Sequence, residues 1–236
     1  MLLRSLLLMM FLAVLTPELH ADPGSRLVLE QIGSESGWTT LSVRDDGLEL
    51  SQKALPERDL HAILVQQPLE IDPATLAEVV RSVERYEEIV VSANTVDFLK
   101  IAEIDSAIYG YQFYQVPLMK NRHLAFEMDA PVVNSDSSLW VLDWRLIQAE
   151  RPEVDEFVRA QAAQRSNPVY LLPGAGRWTM VKRSDSRWDV GYRLWIDPGG
   201  WLPDFIVEYV NRKGLVNLFD DVIRETYRIQ ARESSL

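Results

Sequence analysis

Cysteine is absent from the 236 residues, which excludes disulfides, thiol nucleophiles, thiolate metal sites and a lipidated cysteine anchor. Histidine occurs three times. Past the first 21 residues only His61 and His123 remain, far apart and without metal-ligand spacing to each other or to carboxylates. No metal site is expected, and no cofactor: there is neither a Gly-x-Ser-x-Gly nucleophile turn nor a phosphate-cradling glycine loop. Positive charge is scarce as well. Lys+Arg number 24 against 35 Asp+Glu, a net charge of −11, and so acidic a surface repels the phosphate backbones of nucleic acids. It also opposes electrostatic adsorption to anionic lipid headgroups, so any membrane contact is expected to be transient and apolar.

Long apolar runs are lacking too, with one exception. Arg4 gives a positive start, Ser5 to Leu15 is almost uninterrupted apolar sequence, Pro17 breaks it, and Leu19-His20-Ala21 offers a cleavage point before Asp22. The run is shorter than the roughly 20 residues that span a bilayer. Residues 1–21 therefore read as a signal peptide, with an uncleaved N-terminal anchor left open by the bulky Leu19, and the protein as exported, to the periplasm in a Gram-negative bacterium. Loss of this segment removes one Arg and one Glu and leaves the net charge unchanged. The rest, residues 22–236, has the length and composition of a single globular domain.

What is present is mostly strand. A polar lead-in, Asp22 to Ser36, precedes Trp38 to Val43 and Leu48 to Ala54, which flank the turn signal Asp45-Asp46-Gly47. His61 to Ile71 is a third strand. Asp72-Pro73 supplies an N-cap with proline at the first helical position, and Ala74 to Val90 carries helical spacing. Strands follow at Phe98 to Ile104, Ala107 to Val116, His123 to Met128, Trp140 to Gln148, Pro168 to Leu172, Trp178 to Lys182 and Trp188 to Ile196. Glu153 to Arg165 interrupts them as a helix or structured loop, and Gly174-Ala175-Gly176 reads as a hairpin turn. After Asp197-Pro198-Gly199-Gly200, Leu202 to Arg232 is a long helix with a kink near Gly214. Runs of consecutive strands framed by helices give an α+β class with an antiparallel sheet.

Period-2 alternation gives strands with one wet and one apolar face: Leu124, Phe126 and Met128; Trp140, Leu142, Trp144 and Leu146; Trp188, Val190, Tyr192, Leu194 and Ile196. Asp143 and Arg145 fall on the polar side, where they would pair at the surface or not at all. The final helix carries a broad apolar stripe of Phe205, Ile206, Tyr209, Val216, Phe219, Ile223 and Tyr227. A sheet curled around this helix buries both faces. Periodicity does not separate a filled core, which would make this an interaction domain, from a hollow one.

The segment Gly191-Tyr192-Arg193-Leu194-Trp195-Ile196-Asp197-Pro198-Gly199-Gly200-Trp201-Leu202-Pro203, followed by Val210-Asn211, resembles the last strand and final helix of START (steroidogenic-acute-regulatory-related lipid-transfer) domains. Trp178, the run Pro117 to Arg122 and the early Gly37-Trp38 fit as well, so that the resemblance spans Ser36 to Arg232. It implies a helix-grip fold: a curved antiparallel sheet wrapped around a long C-terminal helix, with an internal apolar cavity for one lipid or similar hydrophobic ligand. By position, the resemblance puts Tyr109, Tyr111, Phe113, Leu124, Phe126, Met128, Tyr192 and Leu194 in the cavity wall, and Phe205, Ile206, Tyr209, Phe219 and Ile223 on the helix that closes it. The phenols of Tyr109, Tyr111 and Tyr209 would orient a headgroup. Two positions depart from the family: Arg122-His123 stands where Arg-Asp is usual, and Met128 where some sterol binders place a buried arginine, so a sterol held in that way is not implied. Polyketide-cyclase and aromatase enzymes use a related cavity, marked by a buried acid–base pair. None is visible here, so a non-enzymatic carrier is expected.

Overall fold

A computed structural model of the chain describes residues 23–92, 96–116, 119–148, 151–199 and 213–235. The polar lead-in is a helix, α1 (Pro23–Gly33), rather than irregular chain. Val28 and Ile32, four residues apart, put one face of it into the core. Strands β1 (Thr39–Val43) and β2 (Glu49–Lys53) form a hairpin whose Gly47 takes φ +85°, a backbone conformation that glycine adopts without penalty. β3 (Ala62–Glu70) leads to α2 (Pro73–Arg81), where the Asp72 carboxylate accepts the Thr75 N–H at 2.8 Å. The single helix expected to Val90 ends here. Ser82 turns its hydroxyl back to the Glu78 carbonyl at 2.9 Å and leaves helical dihedrals, so a 3₁₀ turn (Val83–Arg85) and a short α3 (Tyr86–Ile89) follow.

The remaining elements are β4 (Val96–Ile104), β5 (Ala107–Tyr114), β6 (Arg122–Met128), β7 (Val132–Val133), β8 (Leu139–Leu146), α4 (Pro152–Gln164), β9 (Val169–Tyr170), β10 (Gly174–Lys182), β11 (Arg187–Ile196) and α5 (Leu215–Glu233). They build one sheet in the order β1-β2-β3-β11-β10-β8-β6-β5-β4, with β7 beside β8 and β9 beside β6. All pairings are antiparallel except β6 with β9. Because β11 inserts between β3 and β10, the last strand joins the two halves of the sheet and delivers the chain to α5. Gly174 to Gly176 lies within β10, not in a turn. A Cβ on Gly176 would sit 2.5 Å from the Trp144 indole, so glycine there makes room for a ring on the next strand.

The two faces of the sheet differ. The inner face carries Ile63, Val65, Phe126, Leu142, Trp178, Val190 and Tyr192, and receives α2 and α5 in one apolar cluster. Leu215, Phe219, Val222 and Ile223 of α5 are buried against it, each side chain contributing about 1.5–3 kcal/mol relative to exposure. The outer face is covered by α1, over Ala175 and Trp195, and by α4, over Tyr109, Ala125 and Ile147.

Under these outer helices runs a row of partly covered charge. Arg177 grips Asp143 through two bonds of 2.6 and 2.7 Å, and Arg145 reaches Glu127 at 2.6 Å and Asp129 at 3.2 Å. Asp143 and Arg145 thus do not pair with each other; each is held in a separate, largely covered pair across strands. Among the described residues no helix is long and apolar enough to cross a membrane.

Candidate functional site

The inner face between sheet and α5 is the place where the sequence expects a ligand. Leu124, Phe126, Met128, Tyr192, Phe219 and Ile223 all lie in its apolar cluster, and Leu194 packs against it. Phe205, Ile206 and Tyr209 lie outside the described residues.

Tyr109, Tyr111 and Phe113 do not share this wall. Cross-strand pairing sets Ile108 opposite Met128, Gly110 opposite Phe126, Gln112 opposite Leu124 and Tyr114 opposite Arg122. Even-numbered residues of β5 therefore face inward, and the three odd-numbered aromatics face α4. Tyr109 donates to Glu127 at 2.9 Å and accepts from Arg151 Nε at 2.9 Å. Tyr111 bonds His123 Nδ1 at 3.1 Å and meets Phe157 of α4 edge-on. The Arg165 guanidinium lies over the Phe113 ring, 4.5 Å from its centroid. Gly110 carries the signal in the sequence: its missing side chain is the space that the Phe126 ring fills, and a Cβ at that position would lie only 2.2 Å from the ring.

The inner face is apolar with a few oriented polar groups. Trp178 stacks between Tyr192 and Phe219, with centroid distances of 4.3 and 5.6 Å. Trp144 Nε1 donates to the Tyr192 hydroxyl at 3.2 Å, and Tyr114 donates to Gln112 Oε1. The Trp140 indole N–H is buried without a partner. Burial pushes the phenols of Tyr86, Tyr114 and Tyr192 well above their ordinary range, so all three stay neutral donors. His123 is on the other face. Burial lowers it to about 4, so the one histidine in the sheet is neutral at pH 7 and turned away from the interior.

Not all of the inner face is closed. Val96, Tyr114, Leu172, Leu194 and Ile196 pack on the cluster yet keep accessible surface. They gather at one end of the sheet, where β5 and β11 finish and β4, β6 and β10 begin. Between β8 and α4, on the opposite face, lies a separate cleft of about 110 Å³ lined by Ile147, Gln148, Val154, Asp155, Val158 and Tyr170. That is less than the roughly 150 Å³ of a cavity that takes benzene, and too little for a lipid chain.

An antiparallel sheet holding a C-terminal helix against its inner face is the START-like helix-grip fold, an α+β architecture, and comparison with solved structures shows it for this chain. Human StAR-related lipid transfer protein 5 matches with a TM-score of 0.63 at 14% identity, over 87% of this chain and 96% of that one. A STAR-related lipid transfer protein fragment from Xanthomonas axonopodis matches with a TM-score of 0.60 at 16% identity, over 83% and 99%. Human STARD10 gives 0.62 at 17% identity, over 92% and 85%. By sequence alone, the chain matches no family model and no curated protein.

Proposed function

We propose that this protein binds one lipid or similar long-chain hydrophobic molecule between its sheet and α5, and carries it between membranes outside the cytoplasm. The observation that carries this reading is the partly open end of the inner face. There Tyr114 keeps accessible surface on the inward face while its hydroxyl is held by Gln112. Leu194, Ile196 and Leu172 beside it make this end apolar, which suits an alkyl chain. Two of the structural matches are named as lipid transfer proteins, which supports the same reading. The signal-like residues 1–21 support export, and apolar, transient membrane contact suits the net charge of −11.

Solvent extraction of the protein purified from a bacterial host is expected to release about one long-chain amphiphile per chain, and the protein should speed transfer of a fluorescent lipid between neutral vesicles. A protein that purifies empty and leaves transfer at its spontaneous rate would overturn the reading. N-terminal sequencing of the secreted form is expected to begin at Asp22.

A further inference from the structure

Two arginines are fully buried among the described residues, Arg122 at 5% and Arg193 at 4% relative exposure. Arg193 has a counter-charge: its guanidinium meets both oxygens of Glu35, at 2.7 and 2.6 Å. The partly covered Arg145 and Arg177 likewise hold Glu127 and Asp143. Arg122 is different. It donates to the Lys120 carbonyl and reaches those of Pro198 and Gly199 at 3.4 Å, and no carboxylate of the described residues pairs with it.

A guanidinium cannot shed its proton at physiological pH, and a buried cation without an anion is costly. Burial alone acts on Arg122, lowering its proton affinity with no neighbouring anion to oppose it. Its position is also particular. Arg122 opens β6 on the same inward face as Leu124 and Phe126, directly across from Tyr114. It therefore stands at the open end of the apolar interior, beside the Tyr114–Gln112 hydrogen bond.

We infer that Arg122 is the headgroup subsite of this interior, and that the ligand is an amphiphile with an anionic head, a carboxylate or a phosphate ester. The head takes the guanidinium in place of its two long carbonyl contacts, and the chain lies along the accessible surface of Leu172, Leu194 and Ile196. Arg presents a planar fork of donors that either group fits in a two-point bond. The inference rests on the hydrophobic-ligand reading above and narrows it to a chemical class.

Equilibrium binding of four probes sharing one oleoyl or oleyl chain tests it: oleate against oleyl alcohol, and oleoyl lysophosphatidate against monoolein. In the full-length processed protein, at least one anionic probe should bind about 10-fold or more tightly than its neutral partner. Arg122→Gln should bring that ratio to about one with neutral-probe affinity unchanged, while Arg122→Lys should retain part of it. Preference for oleate assigns a fatty-acid-like ligand, and preference for lysophosphatidate a phospholipid-like one. Equal binding of charged and neutral probes by the unsubstituted protein overturns the headgroup subsite and leaves the cavity standing. Binding of none of the four overturns the hydrophobic-ligand reading itself. The comparison within the unsubstituted protein decides the matter even if Arg122→Gln does not fold.

Discussion

His123 shows how a single buried side chain couples the fold to pH. Its ring sits edge-on to Tyr170, 5.0 Å between centroids, and bonds the Tyr111 hydroxyl. Burial lowers its pKa from 6.5 to about 4. Between those values the unfolded chain binds a proton that the folded chain refuses, so this group's contribution is complete above pH 6.5 and is lost as pH falls toward about 4. Urea midpoints measured from pH 7 to pH 4 should decline, and His123→Gln should flatten that decline. Gly110 makes a steric counterpart. Gly110→Ala should cost about 1–3 kcal/mol by overpacking Phe126, and Phe126→Leu in the same chain should recover part of it in a denaturant titration.

The same two strands show how much of the site is legible in the sequence. Leu124, Phe126 and Met128 read correctly as one face, because plain alternation on β6 survives intact. On β5 the carry-over by resemblance misleads. It puts Tyr109, Tyr111 and Phe113 in the wall, whereas Ile108, Gly110 and Gln112 occupy the inward positions. An aromatic row buried by a neighbouring helix and one turned to the core have the same sequence pattern; only the pairing partner tells them apart. Arg122 is illegible for a related reason, since its lack of a counter-charge is visible only once the carboxylates around it have positions.

Elements explain where charge can be buried. The row beneath α1 and α4 joins strands side by side: Arg145 on β8 holds Glu127 on β6, and Glu127 accepts from Tyr109 on β5. Glu127→Leu would leave the partly covered Arg145 with Asp129 alone and should cost about 1–3 kcal/mol. Adding Arg145→Met should restore most of that loss, a coupling that urea titration of the two single variants and the double variant reads directly. Helix α5 is held differently, by polar ties from residues 220 to 225 in its first half and middle. Asp220 takes Arg44 at 2.7 Å, Asp221 accepts the Ser92 N–H at 2.9 Å, and Glu225 takes Arg85 at 2.8 Å. A ligand packed against Phe219 and Ile223 adds to these ties, so amide exchange over residues 215–227 should slow on binding; unchanged exchange would place the ligand elsewhere.

At the scale of the molecule, the order of strands and the long final helix are readable, because consecutive alternating segments and a C-terminal amphipathic stripe have few ways to bury each other. The outer helices are read less fully. α1 hides in a polar lead-in with only Val28 and Ile32 to mark it. Over Glu153 to Arg165 the sequence leaves a helix or a structured loop open, because Val154 is the one buried side chain of its weak apolar face; the helix α4 forms there. Both act as covers for the outer face, and neither touches the interior assigned to the ligand. The proposed function depends on that interior accepting a chain. Native mass spectrometry of the processed protein with increasing oleate and oleyl alcohol measures this most directly. The expected result is an adduct that saturates at one molecule per chain; no adduct, or stepwise addition without saturation, would contradict it.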